Sequence, residues 1–101
     1  MGGDERMVYM TKKVITNNGI EISIETEYEY VSLVSASEYE EDTQGLMILW
    51  WNPKVCNGES QLDSEVFPFT VEGLLSASKE ARALNSQIAK EVEDNTFTFR
   101  R

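Results

Sequence analysis

The stretch from Ile20 to Tyr30 reads I-E-I-S-I-E-T-E-Y-E-Y, with apolar or aromatic side chains at 20, 22, 24, 28 and 30 and carboxylates at 21, 25, 27 and 29. Such a period of two requires a β-strand with one face buried and the other in water. On the wet face Glu25, Glu27 and Glu29 are predicted to form a row of like charges, each about 7 Å from the next, because same-face residues are two strand rises apart. The rest of the chain must supply the sheet and the cover for this strand's apolar face.

Upstream, M-V-Y-M-T-K-K-V-I-T over 7–16 is rich in β-branched and aromatic residues and predicts a partner strand. Asn17-Asn18-Gly19 between the two is a hairpin signal, since Asn tolerates and Gly freely adopts the left-handed backbone. A two-residue Asn18-Gly19 turn would pair Thr16 with Glu21. A three-residue loop with Gly19 left-handed would pair Val14 with Ile22 and Val8 with Tyr28, gathering Val8, Met10 and Val14 on the face of Ile22, Ile24 and Tyr28. Register follows the buried face, so the three-residue loop is predicted. After Tyr30 the alternation slips, with Val31 and Leu33 on odd positions. A bulge near Tyr30–Val31 would return them to the core.

Residues 35–45 form a polar connection carrying Glu38, Glu40, Glu41 and Asp42. Leu46 to Trp51 (L-M-I-L-W-W) is a continuous apolar run, expected of a strand covered on both faces at or near the centre of the sheet. It ends at Asn52-Pro53, because proline gives no N–H to a ladder. The polar stretch 54–65 predicts an exposed loop with a turn at Asn57-Gly58, and 66–69 a short edge strand or the lead into a helix. Thr70 is the predicted N-cap. Leu74, Ala77, Ala81, Leu84, Ile88 and Val92 then follow three- and four-residue steps and form one apolar stripe of a helix running to about Glu93. Gly73 weakens its first turn by about 1 kcal/mol relative to alanine. Asp94-Asn95 ends it, and 96–100 alternate again, which predicts a C-terminal strand placing Arg100 near the acidic row.

The fold class predicted is therefore α+β. A small antiparallel sheet, made of the N-terminal hairpin, the central apolar strand and a C-terminal strand, packs against one long C-terminal helix. Residues 1–6 are expected to fray, and 7–101 to form one domain. No apolar run is long enough to span a bilayer or resembles a signal peptide, and the lone Cys56 excludes an internal disulfide, so a cytoplasmic protein is expected.

Charge narrows the function classes. The chain carries 18 acids, 9 bases and no histidine, for a net charge of −9. From Glu21 to Glu65 there are eleven acids and one base, Lys54. Such a surface repels nucleic-acid phosphates and anionic lipid and attracts a basic protein surface, although the same charge also serves solubility. Cys56 has no histidine to make it a thiolate. One cysteine and no histidine exclude an intrachain zinc site. An EF-hand loop begun at Glu38 fails, placing Thr43 where the turn glycine belongs and Leu49 where the closing glutamate belongs. No glycine-rich phosphate loop is present. The chain is expected to be no enzyme and to need no cofactor or metal.

Trp50 and Trp51 are adjacent and must point to opposite faces of a strand. One belongs to the core; the other is either covered by a loop or exposed as an anchor of the kind enriched at interfaces. The partner-binding residues predicted are Glu21, Glu25, Glu27, Glu29, Glu38, Glu40, Glu41, Asp42, Tyr39 and Trp51. In size, charge and lack of catalytic motifs the chain is similar in kind to small phage-encoded inhibitors, nucleic-acid mimics and toxin-immunity proteins. That implies a partner with a basic surface, such as a nucleic-acid-binding protein or nuclease. The alternative is a structural subunit of a phage or other complex, assembling, as a homodimer for instance, through edge strands and an exposed tryptophan.

Overall fold

A computed structural model describes residues 8–39, 45–55, 58 and 61–97. Its elements are β1 (Val8–Ile15), β2 (Glu21–Tyr28), β3 (Val31–Ser35), the short helix α1 (Ala36–Tyr39), β4 (Leu46–Trp51), a single 3₁₀ turn at Pro53–Val55, β5 (Gln61–Pro68) and α2 (Val71–Glu93). The strands form one antiparallel sheet in the order β1-β2-β3-β4-β5, packed against α2. The α+β class expected from the sequence is the fold observed.

The first hairpin closes as its turn residues dictate. Val14 pairs with Ile22 and Ile15 with Glu21. Thr16 N–H donates to Ile20 O at 2.8 Å, leaving a three-residue loop with Gly19 at φ +83°. The Thr16 hydroxyl accepts from the Ile20 N–H at 3.0 Å, so the loop satisfies its own backbone. Val14, Ile22, Ile24 and Tyr28 reach the core as expected. Met10 does not. The register breaks at Tyr9 and Thr26, and Met10 stands in solvent beyond the break.

The phase slip after Tyr30 is a reversal of the chain, where the sequence reading placed a bulge. β2 ends at Tyr28 and β3 begins at Val31, running antiparallel to it through a single residue pair, Glu27 with Ser32. The β1–β2 hairpin is joined to β3-β4-β5 through that pair, and both parts pack on α2. Asn17 N–H donates to Phe69 O at 2.6 Å and ties the first turn to the end of the last strand.

β4 lies between β3 and β5, and Met47, Ile48 and Leu49 are all buried, so both its faces are covered as predicted. The fifth strand comes from Gln61–Pro68, most of which reads as loop. Its alternation is broken because the pairing moves from Ile48–Val66 to Trp50–Leu62, setting Asp63, Ser64 and Glu65 opposite Leu49 alone. The C-terminal strand does not start where expected. Asn95 takes φ 61°, and the N–H groups of Thr96 and Phe97 both turn back to Glu91 O. Residues 98–101, including Arg100, lie outside the described part.

Helix α2 begins at its predicted cap, with Thr70 Oγ1 accepting from Gly73 N–H at 2.9 Å. Its buried face is Gly73, Leu74, Ala77, Ala81, Asn85 and Ile88, while Leu84 is half-buried and Val92 is exposed. The predicted stripe is therefore rotated, and one polar residue lies inside it. Gly73 is there for space: a Cβ at that position would stand 2.2 Å from the Pro68 carbonyl oxygen. Ala77 and Ala81 keep the middle of the helix close to the sheet, and Leu74 and Ile88, fully covered, each contribute about 2 kcal/mol of hydrophobic burial.

Candidate functional site

The carboxylates of the acidic strand are mostly matched by cations from other parts of the chain. Glu21 faces Lys13 across the hairpin at 3.5 Å. Glu25 is turned to α2 at the register break and accepts from Arg82 and, at 3.0 Å, from the Tyr28 hydroxyl. Glu29 pairs with Lys54 at 2.8 Å, and the Lys54 ammonium also sits 5.5 Å over the Tyr30 ring. The expected row of like charges is therefore interleaved with cations. Among the described residues Glu27 alone of Glu21, Glu25, Glu27 and Glu29 has no ion pair.

The electrostatics follow from these contacts. The Arg82 hydrogen bond, opposed by partial burial, holds the Glu25 carboxyl below its ordinary value of 4.5. Burial pushes the Tyr28 phenol up, and Tyr28 also reaches the Ser78 carbonyl at 3.4 Å. These bonds join the hairpin arm to the helix.

The other predicted contact residues are scattered. Glu38 is exposed on α1. Tyr39 closes α1, with its side chain outside the described part, and Glu40, Glu41 and Asp42 lie wholly outside it. Trp51 is no exposed anchor: half-buried on the helix side, it packs on Phe97 at 6.0 Å between ring centroids and donates its indole N–H to Asp63. Burial raises the Asp63 carboxyl, the Trp51 bond opposes this, and Glu65 nearby adds to it. Trp50, on the opposite face of β4, is half-buried too.

A groove of about 540 Å³ opens beside the 28–31 reversal, with Met10, Leu33 and Val34 among its apolar walls and Lys12, Glu27 and Lys54 among its charged ones. Two further clefts, of about 380 and 570 Å³, flank Phe97 near the end of α2. The groove carries both signs of charge. Among the described residues no three His, Cys, Asp or Glu side chains gather to hold a metal ion, and no helix is long and apolar enough to cross a membrane.

Sequence reasoning missed Asn52 and Asn85. The Tyr30 N–H donates to Asn85 Oδ1 at 2.7 Å in the core, while Asn52 Nδ2 donates to Tyr28 O at 3.0 Å and its Oδ1 accepts from Ser32 at 2.6 Å. The one available signal was an asparagine, Asn85, adjoining an otherwise apolar helical stripe. A fully buried amide there must answer a backbone group elsewhere. No protein family, curated protein or solved structure is detectably similar to this chain.

Proposed function

We propose that the chain is a small non-enzymatic protein-binding domain whose acidic surface occupies a basic surface of a partner protein, in the manner of an inhibitor or nucleic-acid mimic. The observation that supports this is the charge imbalance of the middle segment, eleven acids to one base between Glu21 and Glu65. With Glu21, Glu25 and Glu29 matched inside the molecule, the working contacts pass to Glu27, Glu38 and the Glu40–Asp42 run. A basic partner that binds nucleic acid would meet here carboxylates in place of phosphates, and the contact would be steered by charge and weakened by salt.

Capture of partners from a cell extract, washed at graded salt, tests the reading. Retention should fall steeply between low and moderate salt, and the double change Glu27→Lys with Glu38→Lys should cut it further. Retention indifferent to both sinks it. A second reading, assembly through sheet edges, draws on the exposed apolar side chains of the edge strands, Ile15 on β1 at 56% and Val66 on β5 at 55%. It requires folded copies to associate on mixing.

A further inference from the structure

We propose that the β1–β2 hairpin is an exchangeable arm, and that two copies of this chain form a dimer by swapping it, with β2 and β3 straightened into one strand across 21–35. The reversal between these strands is made from Tyr28, Glu29, Tyr30 and Val31, without glycine, proline, asparagine or aspartate. All four residues suit extended backbone or tolerate it. Asn95 is the single non-glycine residue with positive φ among those described. Neither Glu29 nor Tyr30 is thus held in a conformation that extended chain forbids.

The attachments of the arm are of a kind that a second copy supplies equally well. Tyr28 to Ser78, Glu25 to Arg82, Asn17 to Phe69 and the apolar contacts of Ile22 and Ile24 all reach across space to other elements. Each can be remade on the body of a partner. Among the described residues the one backbone pairing between β2 and β3 is Glu27 with Ser32, which two antiparallel copies re-form across their two-fold axis. What the closed chain has and the exchanged one does not is the grip on the reversal by Asn52, Lys54 and Asn85. The two states therefore differ at one hinge, and a hinge this short favours exchange. Association also brings together two chains of net charge −9, so screening by salt favours the dimer.

The test is to refold the full chain from denaturant, under reducing conditions, at high and at low concentration, and to follow mass by sedimentation velocity. Concentrated refolding should yield a dimer that rises with salt and persists for hours on dilution. Copies carrying two different tags should co-purify when unfolded together and not when mixed already folded. Inserting Gly-Ser-Gly between Glu29 and Tyr30 should lower the dimer fraction several-fold, and Asn52→Ala should raise it. A chain that stays monomeric throughout overturns the proposal, as does a dimer that forms between folded copies within minutes or one indifferent to the insertion.

Discussion

The two reversals that bound β2 are made by different physics. At 16–20 the chain turns because its own residues demand it: Gly19 is left-handed, and the Thr16 side chain and backbone satisfy the loop. At 28–31 nothing local demands a turn. That reversal is imposed by Asn52, Lys54 and Asn85, which are 22 or more residues away from Tyr30 along the chain. The first should survive in a fragment, and the second should exist only when α2 and the end of β4 are in place. Tertiary structure is here making secondary structure, and the cost is a buried asparagine in the middle of the helix.

The comparison is broken most forcefully at the second reversal. Asn85→Ala removes the acceptor of the buried Tyr30 N–H and leaves a cavity, and should cost about 2–3 kcal/mol in urea unfolding. A loss below about 0.5 kcal/mol would show that the reversal stands without it. Next comes the start of the helix, where local propensity and tertiary space also disagree. On propensity alone Gly73→Ala would gain about 1 kcal/mol. With its Cβ aimed at the Pro68 carbonyl it should instead lose about 2 kcal/mol, and a gain in melting temperature would refute the close approach.

The first reversal should respond more mildly. Gly19→Ala meets no atom within 4 Å, so only the left-handed backbone resists it, at about 1 kcal/mol. Amide exchange localised to 14–22 would confirm that the damage stays local. The smallest effect belongs to Glu25→Gln, which unties the arm from Arg82. Both side chains are partly in water, so the loss at pH 7 should be about 0.5 kcal/mol. Because the Glu25 carboxyl is held below 4.5 in the folded chain, its contribution is present above that value and lost as pH falls through the folded one. Wild type and variant should then converge in stability at low pH.

Much of the fold was legible because it rests on neighbours in sequence. The alternation of Ile20–Tyr30, the Asn-Asn-Gly loop and its register, the apolar run of β4, the Thr70 cap and the helix ending at Asp94-Asn95 all follow from residues within a few positions of one another. Of β5 only the end, 66–68, was legible as an edge strand; 61–65 were not, because the residues that set the register break lie opposite Leu49 on another strand and give no alternation of their own. Of the candidate site, the acidic residues were legible and their pairing was not. Glu25 reads as a member of a charged row until α2 brings Arg82 to it, and Trp51 reads as a free anchor until Phe97 and Asp63 close on it.

By itself, then, the sequence determined the elements whose reasons are local: periodicity, turn chemistry, capping and net charge. Only the tertiary structure decided where β2 stops, which glutamates are ion-paired within the chain, and why an asparagine and a glycine sit on the buried face of α2. The physical reason is the same in each case. A backbone N–H in the core, a carboxylate at a strand edge and a carbonyl against a helix must each be answered by whatever the folded chain brings within about 3 Å. That distance has no counterpart in sequence separation.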